Sequence, residues 1–136
     1  MKNKKYTGII VPAVTPLTAD YQLDAAAVEK IFASFYQHNI SPFILGTTGE
    51  SASLSNHVKA DYLKAAAKNK KAGSVLYAGI SSNVFEESVE FTKLCADNGV
   101  DAIAAPSKPM LDVLRAYGVK AEAEVIPTGL QQHSFK

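Results

Sequence analysis

The sequence predicts an α/β fold built on a parallel sheet, and three observations predict it. Four short, almost uncharged apolar segments lie at residues 8–14, 42–45, 75–80 and 100–105. Runs of this length suit strands buried on both faces. Amphipathic helical patterns separate them, and the repeat is roughly thirty residues, the length of a βαβ unit. Parallel strands need crossover connections. The rhythm therefore fits either an eight-unit barrel or an open doubly wound sheet.

The first helix is expected after Asp24, an N-cap residue type, with Val28, Ile31, Phe32, Phe35 and Tyr36 on one face and a stop at Asn39. The second starts near Ser55. It sets Val58, Tyr62, Ala65 and Ala66 on one face and lysines on the other, and Gly73 is the expected end. The third starts near Asn83, with Glu86 at capping-box spacing, and runs through Phe85, Val89, Phe91, Leu94 and Cys95 to Asn98-Gly99. A fourth opens at Pro106-Ser107-Lys108-Pro109, carries Met110, Val113, Leu114 and Tyr117 on one face, and stops at Gly118. Apolar and charged residues then alternate over residues 119–125, which reads as a half-exposed strand or a frayed helix. The polar tail after Pro127 is expected to be disordered.

Composition narrows the function classes. Hydrophobic residues make up 47% of the 136 and charged residues 20%, as in an ordinary globular chain. A formal net charge of +1 gives no electrostatic footprint for nucleic acid or an anionic membrane. No apolar run reaches the ~18–20 residues of a membrane span, and the cytoplasm is the expected address. The single cysteine, Cys95, cannot form an internal disulfide and reads as a small core residue. His38, His57 and His133 lack metal-ligand spacing, and neither a phosphate-loop nor a dinucleotide fingerprint occurs. No metal and no cofactor is expected.

The chemistry is expected in Gly46-Thr47-Thr48-Gly49-Glu50-Ser51, directly after the second strand. Barrel active sites form at the C-terminal ends of strands. Two glycines let the chain turn sharply, while two threonines offer hydroxyls and successive backbone N–H groups that can cradle a carboxylate. In isolation such a tetrapeptide is more often a plain βα turn. Glu50 reads as an acidic residue at a helix start rather than a catalytic group.

The wider sequence resembles the dihydrodipicolinate synthase and N-acetylneuraminate lyase family. Gly8-Ile9-Ile10-Val11-Pro12-Ala13-Val14-Thr15-Pro16-Leu17 resembles its first strand. Gly46 to Ser51, with Leu54-Ser55 following, resembles its Gly-[Thr/Ser]-Thr-Gly-Glu loop, and Ala78-Gly79-Ile80 with Ser81-Ser82-Asn83 its third-strand turn. The resemblance covers about residues 6–105. It implies a partial (β/α)8 TIM barrel of about four βα units plus a C-terminal helix and tail. It further implies Schiff-base chemistry on pyruvate or another 2-keto acid, by aldol condensation or cleavage, often in a homo-oligomer. By resemblance, the Thr47 hydroxyl would serve a proton relay, and the Thr47 and Thr48 amides would hold the substrate carboxylate. Thr15 lies near the same rim with no role assigned.

The resemblance also implies parts with no match here. A full barrel takes roughly 200–250 residues. The family places its Schiff-base lysine on the sixth strand, a tyrosine after the fifth and an aromatic pair after the fourth, whereas Ser107-Lys108-Pro109 follows Ala105-Pro106 here. Residues 1–106 are expected to be the front half of a lyase domain, and residues 107–136 a helix and tail joined to it by internal deletion. Lys108 is the one lysine at a strand's C-terminal end, though a solvated turn explains it better. Lys64, Lys68, Lys70 and Lys71 read as a solvated face. The expected function is a pyruvate lyase or synthase site that is inactive alone. The alternatives are a non-catalytic half-barrel that binds a 2-keto acid, and a degenerate fragment.

Overall fold

A computed structural model describes residues 6–105, 108–118 and 123–125. Its elements are β1 (Ile9–Pro12), α1 (Ala25–Gln37), β2 (Ile40–Ile44), a 3-10 turn (Ser51–Ser53), α2 (Asn56–Asn69), β3 (Tyr77–Gly79), α3 (Phe85–Asp97), β4 (Ala102–Ala105), α4 (Lys108–Ala116) and β5 (Ala123–Val125). The sheet has five strands in chain order, and every neighbouring pair is parallel.

That order decides between the two architectures. A doubly wound sheet reverses its strand order and carries helices on both faces. Here Ile44, Ala78 and Ile103 are in register on one face of the sheet. The same buried cluster contains Val28 and Phe32 of α1, Tyr62, Leu63 and Ala66 of α2, Val89 and Cys95 of α3, and Leu114 of α4. All four helices therefore cover one face, as in an arc of a (β/α)8 barrel.

The local signals explain most element boundaries. Asp24 Oδ1 accepts the Ala27 amide at 3.0 Å, and Ser55 Oγ accepts the Val58 amide at 3.3 Å. Both bonds satisfy first-turn donors that a helix leaves open. Asn39 and Gly99 take left-handed conformations just beyond α1 and α3, where they end each helix. Cys95 is fully buried, and burial pushes its thiol up to about 12.

Several expectations need correction. Burial on both faces describes β3; in β2 only Pro42 and Ile44, on one face, are buried, and in β1 Ile9 is 63% and Ile10 42% exposed. β1 ends the described sheet, so it has a strand on one side only. The capping box of α3 is absent: Val84 is the cap residue. Ser82 Oγ instead accepts the Val84 amide at 3.1 Å and donates to Glu87 at 2.6 Å. On α4, Leu114 is buried, while Val113 and Tyr117 are largely exposed. The Tyr117 ring nevertheless meets Phe85 edge-on at 5.2 Å. The alternating segment does contain a strand, β5; residues 119–122, the junction at 106–107 and the tail after Pro127 lie outside the described residues. Among the described residues, no helix is long and apolar enough to cross a membrane.

The end of α2 also differs, and a connected set of polar contacts surrounds it. The helix stops at Asn69, short of Gly73, as Lys70 leaves helical geometry at ψ 126°. Lys70 Nζ sits 2.6 Å from Asp101 Oδ2 and donates to the Gly99 carbonyl at 2.9 Å. Asp101 Oδ2 also accepts the Leu76 amide at 2.9 Å. Lys70 is thus no member of a solvated lysine face. It ties α2 to the start of β4 across the bottom of the sheet. Asp101→Ala leaves the Leu76 amide without its acceptor and the Lys70 ammonium without its counter-ion in a half-buried site. The expected loss is about 1–3 kcal/mol of stability, read as a lower urea midpoint with an unchanged slope.

Candidate functional site

The turn after β2 opens with Leu45 in a left-handed conformation, φ 56°. The Gly46 carbonyl accepts from Gly49 N at 3.1 Å and from Ser51 N at 3.4 Å, and the Thr47 carbonyl accepts from Glu50 N at 2.9 Å. The two i→i+3 bonds, from Gly49 and Glu50, wind the segment like the first turn of a 3-10 helix, and the longer bond from Ser51 carries it into Ser51–Ser53. The bonds use the amides of Gly49, Glu50 and Ser51. Among the described residues, none is made by the amides or hydroxyls of Thr47 and Thr48, which are exposed at the top of the sheet. They are the open donors of a helical start. Glu50 is itself exposed and left-handed, φ 53°, with no side-chain capping bond.

Neighbouring strands fix the turn by contacts that involve backbone. Thr15 Oγ1 donates to the Gly49 carbonyl at 2.7 Å. One residue earlier, the Val14 carbonyl accepts the Tyr62 hydroxyl at 2.8 Å. Gly79, the last residue of β3, is pressed against the turn: a Cβ there would lie 2.4 Å from the Leu45 carbonyl oxygen. A Cβ on Gly49 would meet the Ala13 oxygen at 3.1 Å and the Leu45 nitrogen at 3.2 Å. A Cβ on Gly46 would meet only the Phe43 ring, at 3.1 Å.

Sequence reasoning located Thr47 and Thr48 at a strand's C-terminal end, and the structure places them there. It missed the parts played by Thr15, Tyr62 and Gly79. The Thr-Pro pair closing the first apolar run was visible, but its partner 34 residues away was not. Lys108 begins α4, with its side chain 76% exposed and its ammonium 3.0 Å from Asp112. It has none of the burial that a Schiff-base lysine needs. His57 makes a surface pair with Asp61 at 3.2 Å. Among the described residues, no three His, Cys, Asp or Glu side chains gather as metal ligands.

Residues 5–107 match the model of the dihydrodipicolinate synthetase family. The chain belongs to that family. It is 36% identical over 130 residues to 4-hydroxy-tetrahydrodipicolinate synthase of Corynebacterium diphtheriae, covering 91% of this chain and 43% of that one. It is 34% identical to the enzyme of the same name from Methanosarcina mazei, covering 90% and 43%. The dihydrodipicolinate synthase structure from Bacteroides thetaiotaomicron superposes with a TM-score of 0.74 at 30% identity, over 85% of this chain and 43% of that one. The sialic acid aldolase of Ruminococcus gnavus shares the fold, with a TM-score of 0.78 at 19% identity over 97% and 50%. The chain thus spans about half the length of the family members it matches, and its fold is a partial TIM barrel. The matched segment includes the turn, Thr15, Tyr62 and Gly79.

The backbone pressed on Gly79 makes a clear prediction. Gly79→Ala is expected to cost about 1–3 kcal/mol, as overpacked interiors do, and to shift the amide resonances of residues 45–49. Gly46→Ala should cost less, because the Phe43 ring can turn aside and the Leu45 carbonyl cannot. Urea melts of the two variants and their amide spectra check the order.

Proposed function

We propose that this family member carries the carboxylate-binding part of a pyruvate-type Schiff-base lyase or synthase site. The ligand is a 2-keto acid such as pyruvate. The observation that carries the reading is the turn itself, with two successive amides and two hydroxyls left open at the C-terminal end of a barrel strand. The Thr47 and Thr48 amides receive the carboxylate, where fixed N–H dipoles stabilise the anion without reorganising. The Thr47 hydroxyl stands beside the keto group as a proton-relay donor.

The same reading holds that the 136-residue chain alone binds a keto acid without turning it over. Turnover needs a lysine whose amine is neutral near pH 7, through burial or nearby cations. The lysine at a strand's end, Lys108, is exposed and ion-paired. By family resemblance, the Schiff-base lysine and the relay tyrosine belong to later barrel units. A homo-oligomer would shelter the apolar edge of β1, where Ile9 and Ile10 stand exposed. The cytoplasm fits a soluble metabolic enzyme of this class.

Borohydride reduction of the purified chain with pyruvate, read by intact mass, tests the inactivity. The expected spectrum shows no adduct; a stable adduct would refute that part of the proposal, and peptide mapping would start at Lys108. Binding is tested separately by titrating pyruvate into labelled protein. Residues 46–51 should shift, and Thr47→Val, which keeps the amide and removes only the relay hydroxyl, should weaken binding less than about tenfold, the scale of one hydrogen bond to a neutral group. Saturable binding with no shift at residues 46–51 would remove the turn from the site.

A further inference from the structure

Tyr62 belongs to the buried cluster and is fully inaccessible to solvent, on the apolar face of α2. Its ring is explained by the core, but its hydroxyl is not. Phenylalanine would fill the same space with no polar group to satisfy. Burial raises the phenol well above its ordinary range, so the hydroxyl keeps its proton and acts as a donor. It spends that proton on the Val14 carbonyl, at 2.8 Å, in the segment just beyond β1. The next residue is Thr15, whose hydroxyl donates to the Gly49 carbonyl at 2.7 Å. Gly49 in turn closes the donor turn by donating its N–H to the Gly46 carbonyl.

We propose that Tyr62 is a positioning residue for the ligand-binding turn, acting through Val14 and Thr15. The link runs from the most buried part of α2, through the end of β1, to the carbonyl of Gly49. It contains two side-chain hydrogen bonds between segments far apart in sequence. Its effect is to hold residues 46–49 in the conformation that leaves the Thr47 and Thr48 amides open. Ala13 anchors the middle of the link by donating its amide to the Phe43 carbonyl at 2.8 Å, so Val14 and Thr15 have little freedom to drift. The ligand part of this inference rests on the keto-acid reading above; the mechanical part does not.

Amide hydrogen exchange of the full chain separates the two. In Tyr62→Phe, which deletes one oxygen and keeps the ring, the amides of Gly49, Glu50 and Ser51 should exchange about tenfold faster. The amides within α1 and β4 should change much less. A purely structural tyrosine would speed all of them together, because its loss would act through global unfolding. Thr15→Val should reproduce the local effect from the other end of the link, and Thr15→Ser, which restores a hydroxyl, should reverse it. Equal acceleration everywhere, or unchanged exchange over residues 46–51 in both Tyr62→Phe and Thr15→Val, would overturn the inference. Pyruvate titration then gives the functional arm: a tenfold weaker Kd in Tyr62→Phe, with Thr15→Ser close to wild type, is expected. Absence of pyruvate binding in the wild-type chain would sink the keto-acid reading alone, since the exchange data judge the link independently. Wild-type binding with an unchanged Kd in Tyr62→Phe would sink the link's ligand role alone.

Discussion

The close approach of β3 to the turn after β2 governs how the upper rim of this sheet is built. Gly79 lies so near the Leu45 carbonyl that even one methyl group would overlap it. Strands meeting at that distance leave the intervening chain a single way out, through a left-handed Leu45 and a tightly wound turn. The turn is therefore set by backbone packed on backbone, reinforced by the Thr15 hydroxyl on Gly49. Side chains can yield to a crowded neighbour more easily than a backbone carbonyl directly after a strand, and this restricts the rim around the turn.

Rigidity at the top is matched by a different device at the bottom. There the Lys70–Asp101 pair, the Leu76 amide and the Gly99 carbonyl form one connected polar group. Each member satisfies another, which is the condition under which half-buried charge costs little. Between the two ends the four helices share a single apolar layer on one face of the sheet. The barrel arc thus divides its work by position: polar closure below, apolar packing along the middle, and open backbone donors above. The exposed Ile9 and Ile10 show where the arc is unfinished at β1.

Much of this was legible beforehand, for identifiable reasons. The helix starts at Asp24 and Ser55 were readable because capping is local: the oxygen and the amide it satisfies lie three residues apart. The failures have two different causes. At the end of α2, Lys70 is met by Asp101, whose carboxylate reaches it from another βα unit. The start of α3 was misjudged because Ser82, not Asn83, supplies the oxygen, and Glu87 rather than Glu86 answers it. These pairings differ by one residue in sequence, and only the three-dimensional path of the loop chooses between them.

Chain order and residue type by themselves determined the alternation of strands and helices, the apolar faces of α1 and α2, and the place of Thr47-Thr48 after the second strand. Those features follow from periodicity and from interactions within a few residues, which a sequence displays directly. Tertiary structure alone decided that β1 is the exposed end of the described sheet, that the Tyr62 hydroxyl meets the Val14 carbonyl, and that the Thr15 hydroxyl meets the Gly49 carbonyl. A hydroxyl at the tip of a core tyrosine carries no periodic signal. Its partner exists only once α2 has packed across the end of β1, 48 residues away along the chain.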